Sequence, residues 1–134
     1  MTDEQPSALA RSRQELEAAR VLVREGFGEQ SISRAYFAAF FAAEAALLVL
    51  GETRSKHSGV ISAFGKRVVR DGGLDESVGR LLRSLFERRN QADHGSASLT
   101  LEEAEVALRD AEQYVDAVAA WIKNEPGRSR DELS

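Results

Sequence analysis

The 134 residues contain no cysteine, which excludes disulfides and thiolate zinc sites and suits a reducing cytosol. No stretch alternates β-branched with polar residues, and no Asn-Gly or Asp-Gly hairpin joins such runs, so strands are not expected. The N-terminus, Met1-Thr2-Asp3-Glu4-Gln5-Pro6, lacks the basic start and apolar run of a secretory signal. The longest apolar run, Ala35 to Leu50, is interrupted by Glu44 and falls short of the roughly 20 residues that cross a bilayer. It therefore reads as a buried core helix, and the chain as cytoplasmic with no membrane partner. Also missing are a glycine-rich phosphate loop, a His-Glu-x-x-His zinc helix and a Gly-x-Ser-x-Gly elbow.

Net charge is small, −4, which argues against binding nucleic acid through charge alone. Its distribution is uneven. Residues Glu52 to His94 carry nine Lys or Arg against six acids, a balance of +3, which leaves −7 for the rest. A basic middle between acidic ends draws an anionic ligand to one region.

What is present is helical periodicity over one domain's length. A first helix is expected from about Pro6 to Glu25, with Leu9, Leu16, Ala19 and Val23 on one face and Gly26 as the stop. A second, about Glu29 to Leu50, is apolar nearly all round in its latter half. It must be packed on every side, at the centre of a bundle or of a dimer. After a loop, Ser58 is placed to cap a shorter helix to about Arg70. Asp75 then caps a fourth helix with Val78, Leu81, Leu82, Leu85 and Phe86 inward and Gly95 as its stop. Thr100 with Glu103 forms a capping box for a last helix to about Lys123. Trp121 is expected at the outer edge of the bundle. The fold class is all-α, an up-and-down bundle of four to five helices over residues 1–124, followed by a polar, flexible tail at 125–134.

Chemistry is concentrated in Arg88-Arg89-Asn90-Gln91-Ala92-Asp93-His94-Gly95. A guanidinium can hold a phosphate through paired hydrogen bonds, and an imidazole can move a proton near neutral pH. In a regular helix Asn90 and His94 share a face, whereas Arg89 and His94 lie about 140° apart around the axis. Either the last turn loosens near Gly95 or a site combines groups from two chains.

The spacing of Arg89 and His94, with polar Asn90 after the arginine, resembles the Arg-x4–6-His signature of the HEPN domain family. The stretch Ser33 to Leu48, rich in small and aromatic residues, is similar to the central helix of small stand-alone HEPN proteins, and Lys56-His57-Ser58-Gly59 to their basic turn. This resemblance, from near Leu9 to Ile122, implies an HEPN-like bundle assembled as a symmetric homodimer with two motifs facing a shared cleft. It further implies a metal-independent endoribonuclease without a cofactor, the toxin of a toxin–antitoxin pair, whose antitoxin partner is a minimal nucleotidyltransferase. The Gly-Ser pair and spaced aspartates of such a nucleotidyltransferase are absent here. Some members carry a modifiable tyrosine two residues after the motif histidine, where this chain has Ser96.

On that reading the catalytic residues are Arg89, Asn90 and His94. His94 is the general base or acid, Arg89 stabilises the transition state, and Asn90 orients phosphate or imidazole. Arg54, Lys56, His57 and Arg88 are expected to bind RNA or nucleotide, His57 in the second rank, and no metal ligand is expected. Glu44 is expected to pair with an arginine, and Tyr36, Phe37, Phe40 and Phe41 to serve the core or a dimer interface. Alternatives are a non-catalytic HEPN module, which binds a nucleotide or docks onto a nucleotidyltransferase, and a plain helical adaptor.

Overall fold

Ser7 begins the first helix by accepting a hydrogen bond from the Ala10 amide at 3.1 Å, so α1 runs Ala8–Arg24 and starts later than expected. A computed structural model of the chain describes residues 7–53, 56–94 and 100–124, with the side chain of His94 excepted. Pro6, Gly95 and the tail 125–134 lie outside these residues. Gly26 turns the chain with φ +91°, in the left-handed region that glycine adopts at little cost, and Gly51 does the same with φ +77° after α2, Gly28–Val49.

Two buried serines tie α1 to α2. Ser12 Oγ donates to the Ala38 carbonyl at 2.6 Å and Ser31 Oγ to the Ala19 carbonyl at 2.8 Å. Since 12 pairs with 38 and 19 with 31, the helices are antiparallel. Alanines 35, 38, 39, 42, 43, 45 and 46 of α2 are all buried, which allows other helices to approach from several sides. By length and composition α2 could cross a membrane, but two thirds of its most apolar window is buried within the bundle. It packs against α1, α3, α4 and α5, which makes it the core helix.

Ser58 is not the cap expected of it. The third helix, α3, starts two residues earlier than that cap implies and spans His57–Ala63, with Lys56 at the cap position and no side-chain cap bond among the described residues. Nor does it continue as an α-helix, because Phe64–Arg70 winds as a π-helix. Its wider turn brings residues four apart nearly into line. Phe64 and Val68 thereby both enter the core, while Lys66 and Arg70 both face outward. Trp121, half-buried, donates from Nε1 to the Gly72 carbonyl at 2.9 Å and ties the end of the last helix to this turn.

The fourth helix, α4, spans Glu76–His94. As expected, Asp75 caps it, accepting from the Ser77 amide at 2.8 Å. Val78, Leu82 and Leu85 are buried, and Leu81 and Phe86 are partly so. The capping box is present as well: the Thr100 amide donates to Glu103 Oε1 at 3.2 Å and the Glu103 amide to Thr100 Oγ1 at 3.1 Å. It opens α5, Leu101–Asn124, whose inner face is Ala104, Ala107, Ala111, Tyr114, Val115, Val118 and Ile122. Gly28 lies against Leu101 and Ala104, so α2 and α5 start at the same end. The result is the all-α up-and-down bundle anticipated from periodicity, without strands among the described residues.

Candidate functional site

Tyr36, Phe37, Phe40 and Phe41 follow one another around α2, and their rings form a continuous cluster with centroid separations between 5.4 and 6.4 Å. His57, the first residue of α3, joins it. Its ring lies 4.3 Å from that of Phe40 and 5.7 Å from that of Phe37, and its Nδ1 is 2.9 Å from the Tyr36 hydroxyl. Phe86 of α4 adds a ring 5.7 Å from Tyr36. His57 is thus no solvated loop residue: burial foremost, and then the Arg89 cation, hold its pKa below the ordinary 6.5. Burial pushes the Tyr36 hydroxyl up to about 12, opposed by Arg89 and reinforced by Glu44. Tyr36 therefore stays protonated at neutral pH.

Arg89 lies over this cluster, its guanidinium carbon 5.2 Å from the Phe37 ring centre and 5.5 Å from that of Tyr36. The ring faces attract the cation and limit its motion. Asp93, one turn on, places Oδ2 2.9 Å from Arg89 Nε. That Nε is nevertheless buried without a hydrogen bond among the described residues, so the carboxylate is close but off the N–H axis, and the contact is an ion pair rather than an aligned bond. The side chain is 24% exposed, enough to meet a ligand from one side.

Two further arginines cover the same aromatic row. Arg34 lies 5.0 Å over Phe37 while paired with Glu15 at 3.1 Å, and Arg11 lies 4.2 Å over Phe41. Glu44 sits beside Arg11. Burial raises its carboxyl above the ordinary value, and the Arg11 charge draws it back.

The structure brings Arg89 and His57 together on the aromatic face and leaves Lys56 exposed at its edge. Asn90 follows, partly buried. Arg88 points elsewhere: its guanidinium bonds Asp110 of α5 at 2.9 Å, since adjacent helical residues leave the axis about 100° apart. Arg54 lies outside the described residues. For His94 only the backbone is described, and it shows no loosening: α4 remains α-helical through this residue. The Cα atoms of Arg89 and His94 are therefore about 140° apart around the axis, and those of Asn90 and His94 about 40°. Sequence reasoning set Tyr36 and Phe86 aside as core. Tyr36 bonding His57 was not visible because 21 residues separate them.

Comparison with known proteins places nearly all of the described helices within one family. The model of a family described as "HEPN domain" matches residues 7–121. A protein of Methanocaldococcus jannaschii named "putative toxin" is 35% identical over 108 residues, 81% of each chain. A "UPF0332 protein" of Gloeobacter violaceus is 34% identical over 124 residues, 91% of this chain and 98% of its own. Another of that name, from Thermotoga maritima, is 33% identical over 116 residues, 85% and 87% of the two chains.

Proposed function

The chain belongs to the HEPN domain family, and we propose that it is a metal-independent endoribonuclease of toxin type, acting as a homodimer with Arg89 and His94 in a shared cleft. The observation that carries the reading is Arg89: a cation fixed over the rings of Phe37 and Tyr36, without an aligned hydrogen bond at Nε among the described residues and open to solvent on one side. The relatives' toxin names support the same class. So does the α-helical course of the backbone through His94, because groups about 140° apart on one helix suit a site completed by a second chain.

In this mechanism an imidazole of His94 takes the proton of a ribose 2′-hydroxyl, and the oxygen attacks the adjacent phosphorus. The bond to the leaving 5′-oxygen breaks as that oxygen receives a proton, from the second His94 of the dimer. Products are a 2′,3′-cyclic phosphate and a free 5′-hydroxyl. Arg89 neutralises the additional charge on the phosphorane-like transition state, and Asn90 orients phosphate or imidazole. His57, neutral and tied to Tyr36, offers a hydrogen-bond donor beside Arg89, and Lys56 adds positive charge at the edge. The partner in the cell is a minimal nucleotidyltransferase antitoxin.

The test is cleavage of labelled RNA by wild type, His94→Ala and Arg89→Ala in excess EDTA, with product ends analysed and folding checked by circular dichroism. Cyclic-phosphate ends are expected from wild type, with losses of about 10²–10³-fold for Arg89→Ala. Equal cleavage by His94→Ala would sink the assignment. No cleavage by wild type would transfer the reading to a non-catalytic nucleotide-binding or nucleotidyltransferase-docking module.

A further inference from the structure

We propose that the groove between the π-helical segment and α4 binds the sugar–phosphate backbone of single-stranded RNA and leads it to Arg89; the choice of ligand rests on the ribonuclease reading. The groove holds about 530 Å³ and is lined by Lys66, Arg70 and Arg83, the hydroxyls of Ser58 and Ser62, and the ring of Phe86, with no carboxylate in its wall among the described residues. Three cations without an acid on one concave surface make a local positive potential in a chain whose net charge is −4. Arg70 is balanced from outside the wall by Asp71 at 3.1 Å. Lys66 and Arg83 have no ion pair among the described residues and are both exposed.

The backbone explains the alignment. Because Phe64–Arg70 winds as a π-helix, Lys66 and Arg70 stand nearly in line along the groove wall. An added Cβ at Gly65 would meet nothing within 4 Å, so the groove is open there. On the opposite wall, Arg83, Phe86 and Asn90 recur at helical spacing on one face of α4, which leads from the groove to the motif. Phe86 connects the two regions. It lines the groove, and its ring lies 5.7 Å from Tyr36, the ring beneath Arg89. Ser58 in the groove wall directly follows His57. A strand laid here has cations for successive phosphates and Phe86 as a surface on which a base can stack.

The test compares wild type with Lys66→Gln/Arg83→Gln, and with Arg13→Gln/Arg24→Gln, an equal change of charge at exposed positions of α1. Binding of a fluorescein-labelled 2′-O-methyl oligouridylate, which cannot be cleaved at its sugars, is followed against salt. Cleavage of an oligoribonucleotide is compared with that of a dinucleoside monophosphate too short to occupy the groove. Two lost phosphate contacts should lower the salt slope by about 1.4 and weaken binding roughly 25-fold at about 0.1 M salt. The KM for the oligoribonucleotide should rise with kcat and dinucleoside cleavage unchanged, and the α1 variant should behave as wild type. An unchanged slope in the groove variant, or equal losses in both variants, overturns the proposal, as does absence of oligouridylate binding by wild type. If wild type binds through Lys66 and Arg83 but cuts neither substrate, the ribonuclease reading falls while the groove stands as an RNA-binding site.

Discussion

The Tyr36 hydroxyl lies 2.9 Å from Nδ1 of His57, joining the middle of the core helix to the first residue of α3 at the place where Arg89 covers the aromatic row. With its hydroxyl raised to about 12, Tyr36 keeps its proton, and it has no other hydrogen bond among the described residues. It therefore donates, Nδ1 accepts, and the imidazole proton sits on Nε2. The site so arranged concentrates its positive charge on Arg89 and keeps the neighbouring histidine neutral.

This relationship sets the first prediction, read by NMR titration of the two histidines. His57 should titrate below 6.5 and show the Nε2–H tautomer, and both Arg89→Gln and Tyr36→Phe should move its pKa upward. Because its proton affinity is lower folded than unfolded, the unfolded chain takes up the proton first as pH falls. This contribution makes stability decline from about pH 6.5 down through the folded value and no further below it. Urea midpoints measured across that window should show the decline in wild type and a weaker one in His57→Asn. A His57 titration at or above 6.5 would contradict the arrangement.

Gly72 should resist substitution for a reason unrelated to the site. A Cβ there would lie 2.6 Å from the Val68 carbonyl oxygen, 2.9 Å from that of Arg67 and 2.8 Å from the Trp121 ring. Two of the three obstacles are backbone and cannot rotate aside. Gly72→Ala is expected to cost about 1–3 kcal/mol by overpacking, visible in the denaturation midpoint and in Trp121 fluorescence. Gly65→Ala, with open space around the new carbon, should leave stability unchanged or raise it by about 0.5–1 kcal/mol. Equal effects at the two positions would contradict this packing.

Tyr114 presents the opposite case. It is fully buried against Phe64, with ring centres 5.5 Å apart, and its hydroxyl has no hydrogen-bond partner among the described residues. Burial raises its pKa well above the ordinary value, so the group stays neutral. A buried hydroxyl without a partner costs about 1–3 kcal/mol. Tyr114→Phe should therefore keep the ring packing and raise the thermal midpoint, whereas a fall in midpoint would mean that the hydroxyl is hydrogen-bonded in solution.

The sequence carried the bundle because its signals are local. Asp75, and Thr100 with Glu103, cap helices through bonds to residues two or three positions away, and Gly26 and Gly51 follow α1 and α2 at positive φ. What it did not carry depends on distant partners. The π-helical winding of Phe64–Arg70 has no local signal in the sequence, since an α-helix would also bury Phe64 and Val68 on one face. Whether Arg88 or Arg89 faces α2 is decided by which side of α4 meets Asp110 and which meets the rings of Tyr36 and Phe37. His57 looked like a loop residue because the rings it meets, Tyr36, Phe37 and Phe40, lie in the middle of α2, well back from it in the sequence.

The same α4 geometry yields a decisive test of the shared site. Arg89 and His94 lie about 140° apart on a helix that stays regular, so an Arg89 of one protomer should work with the His94 of its partner. Arg89→Ala and His94→Ala proteins, each inactive alone, are mixed in equal amounts, dissociated and reassembled. Half the dimers should then be mixed, and each of these retains one cross-chain pair of intact Arg89 and His94. RNA cleavage should rise above that of either variant alone but stay below a quarter of the wild-type rate, because the mixed dimer lacks the second His94 that protonates the leaving oxygen. If both groups acted within a single chain, no protomer in the mixture would hold the pair and the rate would remain at that of the separate variants. Light scattering on the same samples fixes the assembly: a monomer at micromolar concentration would remove the shared cleft and predict no recovery.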